Sequence, residues 1–411
     1  MSKQFNKHTH TLNACYIGYL VQAVIVNFLP LLFLTISSKY SIGLDKIAIF
    51  ITVNFMTQLV VDLIGAKLVD KIGYRISALA AHIFSAIGLI LLATLPDLLE
   101  NAFVGFAIAV FVYAIGGGLI EVIISPIAQA TPVKNKQKVM GFLHSAYSWG
   151  QVFVVLASTI FFLVFGIENW QIMALIWALV PIINALYFLK VPIYQLEKGE
   201  DGYLRVRDLL KSKIFWILIV LMVASGASEQ AMSQWASAFA ESGLKVSKAL
   251  GDLAGPMLFA VLMGLGRVFF ATKGSKWDIN KFMTGSGILC IVGYGLAWLS
   301  PTPFIGFIGC ALTGLGVAIM WPGTFVIAGE QIKYGGTAMF ALLAFAGDLG
   351  CSAGPYTAGV MASKFQDNLQ IGILAAMVFP ILFVIFMIVD KKNSQKLKDR
   401  NGRIEERVKT N

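Results

Sequence analysis

The sequence predicts an all-α membrane protein with twelve transmembrane helices in two pseudo-symmetric six-helix halves. Three observations carry this. Of 411 residues, 57% are apolar and only 13% charged, with mean hydropathy +0.77; soluble chains run near half apolar and about a quarter charged, so an ordinary soluble enzyme is excluded. Apolar runs long enough to cross a bilayer, roughly 20 residues each, recur twelve times between charged or Pro/Gly-rich breaks. The basic residues between those runs fall on alternate sides very unevenly, 27 of 32 on one side.

Span 1, residues 12–35, is too long for the apolar core of a signal peptide, and no small-residue cleavage site follows in Thr35 to Lys39, so it is expected to be retained. Span 2 (47–67) stops at a Gly- and Lys-rich loop, span 3 (76–96) at Pro96-Asp97, and span 4 (102–127) before the basic run Lys134 to Lys138. Span 5 (139–165) and span 6 (170–190) close a first half, 1–190. Residues 191–213 form the longest loop and read as a cytoplasmic linker. Spans 7 (214–240), 8 (251–271), 9 (282–300), 10 (304–328), 11 (337–362) and 12 (371–390) build a second half, 214–390, followed by a tail of mixed charge, 391–411.

An even number of spans puts both termini on one side, and the positive-inside rule makes that side cytoplasmic. The five basic residues left for the other side are Lys39, Lys46, Lys245, Lys248 and Lys364. The formal charge of +10 is therefore a topology signal that also faces anionic lipid, and no nucleic-acid partner is expected. No Asn-x-Ser/Thr sequon occurs; a bacterial inner membrane and a monomer are the expected setting. Cys15, Cys290, Cys310 and Cys351 all sit in apolar runs without metal-type spacing, so no disulfide, metal or cofactor is called for.

An internal repeat supports the division into halves. Gly18-x3-Gln22 matches Gly226-x3-Gln230, Gly118 to Pro126 matches Gly314 to Pro322, and Met140, Leu143, Ala146 and Gly150 fall on Phe340, Leu343, Ala346 and Gly350. The offsets cluster near half the chain length. Duplicated halves with a site between them are the architecture of many secondary transporters.

Between spans 2 and 3 lies Gly65-Ala66-Lys67-Leu68-Val69-Asp70-Lys71-Ile72-Gly73-Tyr74-Arg75. Gly65 permits close helix approach, Gly73 a tight turn, and Asp70 can accept hydrogen bonds from a helix N-terminus; Arg75 suits a headgroup face. The G-x-x-x-x-D-x-x-G-x-R pattern resembles the signature loop of the major facilitator superfamily. That resemblance implies a gate of Gly65, Asp70, Gly73 and Arg75, with Asp70 latching against the start of span 11 near Lys333 to Thr337. A second copy, Gly264-Leu265-Gly266-Arg267 followed by Lys273 to Lys276, lacks the matching aspartate.

Four further stretches resemble the fucose-permease type of sugar:proton symporters: Gly116 to Glu121, Leu143 to Tyr147, Trp321 to Phe325, and Gly347-Asp348-x-Gly350 to Pro355. The resemblance implies a proton-linked glutamate at Glu121. It departs in span 1, where that type carries an aspartate and Val26 to Pro30 holds no acid.

Ionisable groups at membrane depth are costly and are functional candidates. Glu121, Glu229 and Asp348 are placed deepest, with His82, His144 and Asp62 nearer the cytoplasmic ends. With every basic residue assigned to loops or span ends, none of the three deep carboxyls is expected to have a Lys or Arg partner, and desolvation then favours the protonated form. Proton coupling is assigned to Glu121, His144 and Asp348, with a Glu121–His144 hydrogen bond expected. Asp348, among glycines, could equally bond a nearby backbone group.

The expected substrate contacts are Tyr19, Gln22, Asn27, Tyr147, Gln151, Glu229, Gln230, Gln234, Trp235 and Trp321. Gln230 and Gln234 share a helix face, amides donate and accept, and an aromatic face suits a sugar ring. Helix-packing hydrogen bonds use the same residue types, so the set counts for more than its members. No phosphate-binding loop, catalytic triad or metal cluster appears, so no enzyme is expected.

The reading is a secondary active transporter of a small polar organic solute, a sugar or related compound, by proton symport with alternating access. Two alternatives stay open: proton-coupled efflux of amphipathic or cationic compounds, which the same carboxyls could neutralise, and a non-transporting sensor or scaffold on the same fold. The gate loop around Asp70 argues against the last.

Overall fold

A computed structural model describes residues 2–133, 136–194, 206–273, 277–332 and 336–390. The side chains of Asp70 and His144 lie outside the described residues, as do residues 333–335 of the expected latch. Eleven segments have the length and composition to cross a bilayer: His8–Tyr40, Leu44–Gly65, Tyr74–Leu98, Ala102–Ala128, Ser145–Phe165, Ile167–Lys190, Lys213–Gly243, Lys248–Phe270, Ile279–Leu299, Pro303–Gln331 and Leu369–Asp390. They are spans 1–10 and 12. Span 11 is the 29-residue helix Gly336–Lys364, long enough to cross but rich in Gly, Ser and Thr, as befits an interior helix. Among the described residues there is no strand.

The breaks inside spans have local causes. Span 1 is a helix, Ser2–Asn27, a 3-10 turn at Leu29–Leu32, and a second helix, Phe33–Tyr40; Pro30 has no N–H to continue the ladder. Span 10 divides into Pro303–Val317 and Met320–Gln331, and Pro322 falls in the first turn of the second piece, where an N–H would have no intrahelical acceptor. Span 8 starts earlier than expected, with Lys248–Asp252 and a π-helical turn, Leu253–Met257, around Pro256. The expected linker contains a short helix, Val206–Lys211. Gly73, at φ 84°, turns the chain from span 2 into span 3, a conformation that favours glycine.

Span 3 shows the pattern of a helix between lipid and protein. Ile83, Ile87 and Ile90 point outward, while Ala81, Ser85 and Gly88 are buried. Span 3 packs on span 4, span 9 on span 10, span 2 on span 11, and span 5 on span 8. Spans 7 and 11 approach most closely through glycine: a Cβ at Gly350 or Gly354 would overlap the backbone of Val223 or Ala227.

Candidate functional site

Helical spacing places Asn54, Gln58 and Asp62 on one face of span 2. Gln58 Nε2 donates to Asn54 Oδ1 at 2.9 Å, and Gln22 Nε2 of span 1 donates to Gln58 Oε1 at 2.6 Å and to Glu121 Oε1 of span 4 at 2.8 Å. One oxygen each of Asp62, Glu121 and Asp348, from spans 2, 4 and 11, lie within 4.8 Å of one another. All three are part-buried. Among the described residues no Lys, Arg or His pairs with it.

Two unit charges at 4.8 Å repel by about 3 kcal/mol at an effective dielectric near 20. Simultaneous ionisation of all three carboxyls is opposed by that repulsion. Asp62, placed toward the cytoplasmic end by sequence, is a full member. The described partner of Glu121 is Gln22, and its expected bond to His144 falls outside the described side chains.

The second polar group centres on Arg267. It donates from Nη2 to Glu229 Oε2 at 3.1 Å, from Nη1 to Ser148 Oγ at 3.1 Å, and from Nε to the Ala318 carbonyl at 3.4 Å. This corrects the expectation that no deep carboxyl has a basic partner. By sequence Arg267 counts as a span-end residue of span 8, but the helix Leu258–Lys273 carries it into the bundle, between spans 5, 7 and 10.

Glutamine side chains continue from this pair. Gln230 Nε2 donates to Glu229 Oε1 at 3.4 Å, Gln234 Nε2 to Gln230 Oε1 and to the Val26 carbonyl at 3.1 Å each, and Gln151 Nε2 to Ser233 Oγ at 3.0 Å. Asn27 Nδ2 lies 3.4 Å from Tyr147 OH, and Tyr19 OH pairs with Ser125 Oγ at 3.0 Å. Trp321 is half-buried with its ring against Gly347. Trp235 is wholly enclosed, packed on Phe33 and bonded through Nε1 to the Pro355 carbonyl at 2.9 Å, so its geometry is that of a packing residue.

A third group was not foreseen. Asp252, fully buried near the end of the bundle away from the termini, accepts from Lys248 Nζ at 2.6 Å, from Thr159 Oγ1 at 3.3 Å, and from Ser237 Oγ. It ties span 5 to spans 7 and 8.

In the gate loop, Gly65 faces Val122 of span 4, where an added Cβ would come within 3.2 Å. Arg75 caps the end of span 6, donating to the carbonyls of Phe188 and Leu189 at 2.6 Å and of Val191 at 2.9 Å. His82 is buried and structural, bonded to Ala78 O and to Asn184.

A bundle of membrane-length helices with charged groups in its interior is the framework of a multi-pass membrane protein. The family model of the Major Facilitator Superfamily matches residues 15–355, and the chain belongs to that family, whose members carry small solutes. A crystal structure of the nucleoside transporter NupG is similar in fold, with TM-score 0.77 and 14% identity over 93% of this chain and 99% of that one. The bacterial homolog of the human lysosomal transporter Spinster is similar in its inward-facing unoccupied form (TM-score 0.77, 14% identity, 95% and 98% covered) and in its occupied form (0.72, 14%, 94% and 97%). At that identity the likeness is one of fold. No curated protein matches the sequence.

Proposed function

We propose that this chain is a secondary active transporter that carries a small polar organic solute, a sugar or related compound, together with protons, by alternating access of its two six-helix halves, 1–190 and 214–390, with both termini in the cytoplasm. The observation that carries this reading is the Asp62–Glu121–Asp348 cluster. It spans helices of both halves, opposes full ionisation, and is wired through Gln22 to span 1. Proton gain and loss there changes the repulsion between spans 2, 4 and 11, the element that alternating access must move. The amide network around Gln230 and Gln234 supplies donors and acceptors for a multi-hydroxyl solute. The fucose-permease resemblance points the same way at Glu121, although span 1 lacks that type's aspartate.

Efflux of a cationic compound is the second reading, favoured by the absence of a basic partner for the cluster among the described residues. Counterflow of labelled sugars and lipophilic cations in proteoliposomes at two pH values separates the two. Exchange of sugars with proton uptake supports the first reading, exchange of cations alone the second, and exchange of nothing in either panel refutes both.

A further inference from the structure

We propose that the solute is an anion, a polyhydroxy monocarboxylate of the sugar-acid kind, whose carboxylate takes the place of Glu229 on Arg267 when Glu229 binds a proton. This names the substrate class of the site just proposed and rests on that reading. The argument starts from the cost of the pair. A carboxylate and a guanidinium held inside a membrane bundle are no more stabilising than well-packed apolar side chains of the same volume, so folding alone gives no reason for the pair.

Its construction is asymmetric. Arg267 is fixed from two other spans by Ser148 Oγ and the Ala318 carbonyl, whereas Glu229 is bound to it by one oxygen. The guanidinium therefore stays in place if Glu229 lets go. A guanidinium carries five N–H donors in a fork matched to a carboxylate; three are used among the described residues. Its side chain keeps 21% of its surface accessible, against 9% for Glu229, so of the two Arg267 is the more open to a ligand.

Gln230 bonds Glu229 and Gln234 bonds Gln230, while Tyr147, next to the Ser148 that holds Arg267, meets Asn27; these are the groups that hydroxyls would meet. A neutral sugar would use these amides but leave the ion pair untouched. A second anion beside an ionised Glu229 would be repelled, so anion entry and protonation of Glu229 go together, one proton per anion with no net charge moved. The charged and titratable groups within reach of Glu229 are Arg267 of span 8, Tyr147 of span 5 and Cys351 of span 11, with Tyr294 of span 9 bonded to the neighbouring Ser228 carbonyl.

The test uses full-length protein in lipid nanodiscs, with D-glucuronate and D-gluconate as anionic probes, D-glucose as the neutral one, and binding measured between about pH 5.5 and 8. Wild type should bind the acids at least about tenfold more tightly than glucose, weakening about tenfold per pH unit at the alkaline end, the slope of one linked proton. R267Q should lose about tenfold or more in acid binding, so that the acids bind no more tightly than glucose. E229Q, which keeps a bonded amide beside Arg267, should bind the acids with no pH slope. If R267Q does not fold, the E229Q slope decides alone. Glucose bound as well as the acids, or a pH slope retained in E229Q, overturns the anion assignment while leaving proton-coupled sugar transport standing. Failure of all three sugars to bind overturns both.

Discussion

The buried Asp252 group lends itself to a quantitative test. Lys248→Met would strand a wholly enclosed carboxylate with only the Ser237 and Thr159 hydroxyls for partners. Breaking a buried pair from one side costs about 3–5 kcal/mol. Because Asp252 has no exposed surface, the upper end applies. Asp252→Ala strands Lys248 instead, whose side chain is 21% accessible and can turn its ammonium outward, so about 3 kcal/mol is expected. The double variant Lys248→Met/Asp252→Leu removes both charges and should recover most of the loss, since an apolar pair of similar volume is often neutral.

All four cysteines are free and buried, so a thiol-reactive fluorophore reports unfolding of detergent-solubilised protein directly. At about 1 °C per kcal/mol for a chain of 411 residues, Asp252→Ala should melt about 3–4 °C below wild type and Lys248→Met lower still. The reasoning is refuted if the double variant is no more stable than the worse single one, or if both singles melt within about 2 °C of wild type.

Other expectations follow from the same geometry. Arg75→Ala removes three bonds to the last carbonyls of span 6 and should cost about 1–3 kcal/mol, read in the same melting assay, with Arg75→Lys recovering only part because an ammonium lacks the planar fork. Gly350→Ala should lower folded yield sharply by size-exclusion chromatography, since its Cβ meets the Val223 backbone and spans 7 and 11 must separate. Gln22→Leu removes the only described donor to Glu121 and the donor to Gln58 Oε1; acceptors left unbonded inside the bundle cost about 1–3 kcal/mol each, so the melting point should fall in the same assay. A melting point unmoved by Gln22→Leu would show that these two bonds contribute nothing to the stability of the bundle.

The span count was legible because a run of about 20 apolar residues is read from composition alone. Depth within a span was not. Asp62 lies only three residues before Gly65, and its nearness to the charged loop suggests an ordinary span-end charge; the helix Leu44–Ile72 instead turns it toward Glu121 and Asp348. The i, i+4 ladder of Asn54, Gln58 and Asp62 in an otherwise apolar run was the available signal. Arg267 was misplaced because it follows the glycines of a degenerate loop copy, and sequence spacing does not tell which face of span 8 meets spans 5, 7 and 10. Asp252 sits at a predicted span edge, where charge is ordinary; only the early start of span 8 at Lys248 brings it under Thr159. Trp235 illustrates the converse, an aromatic at the right height whose ring is taken up by Phe33 and Pro355.

The central claim is that protons enter the cycle at the Asp62–Glu121–Asp348 cluster. It is tested most directly by comparing, in proteoliposomes, solute-driven proton uptake and solute counterflow for wild type and Glu121→Gln. Counterflow requires the carrier to reorient loaded but no net proton movement. With a neutral sugar as solute, which leaves the Glu229–Arg267 pair in place, Glu121→Gln, which keeps an amide in contact with Gln22, is therefore expected to exchange the sugar while its sugar-driven proton uptake disappears. Proton uptake in Glu121→Gln equal to that of wild type would contradict the account.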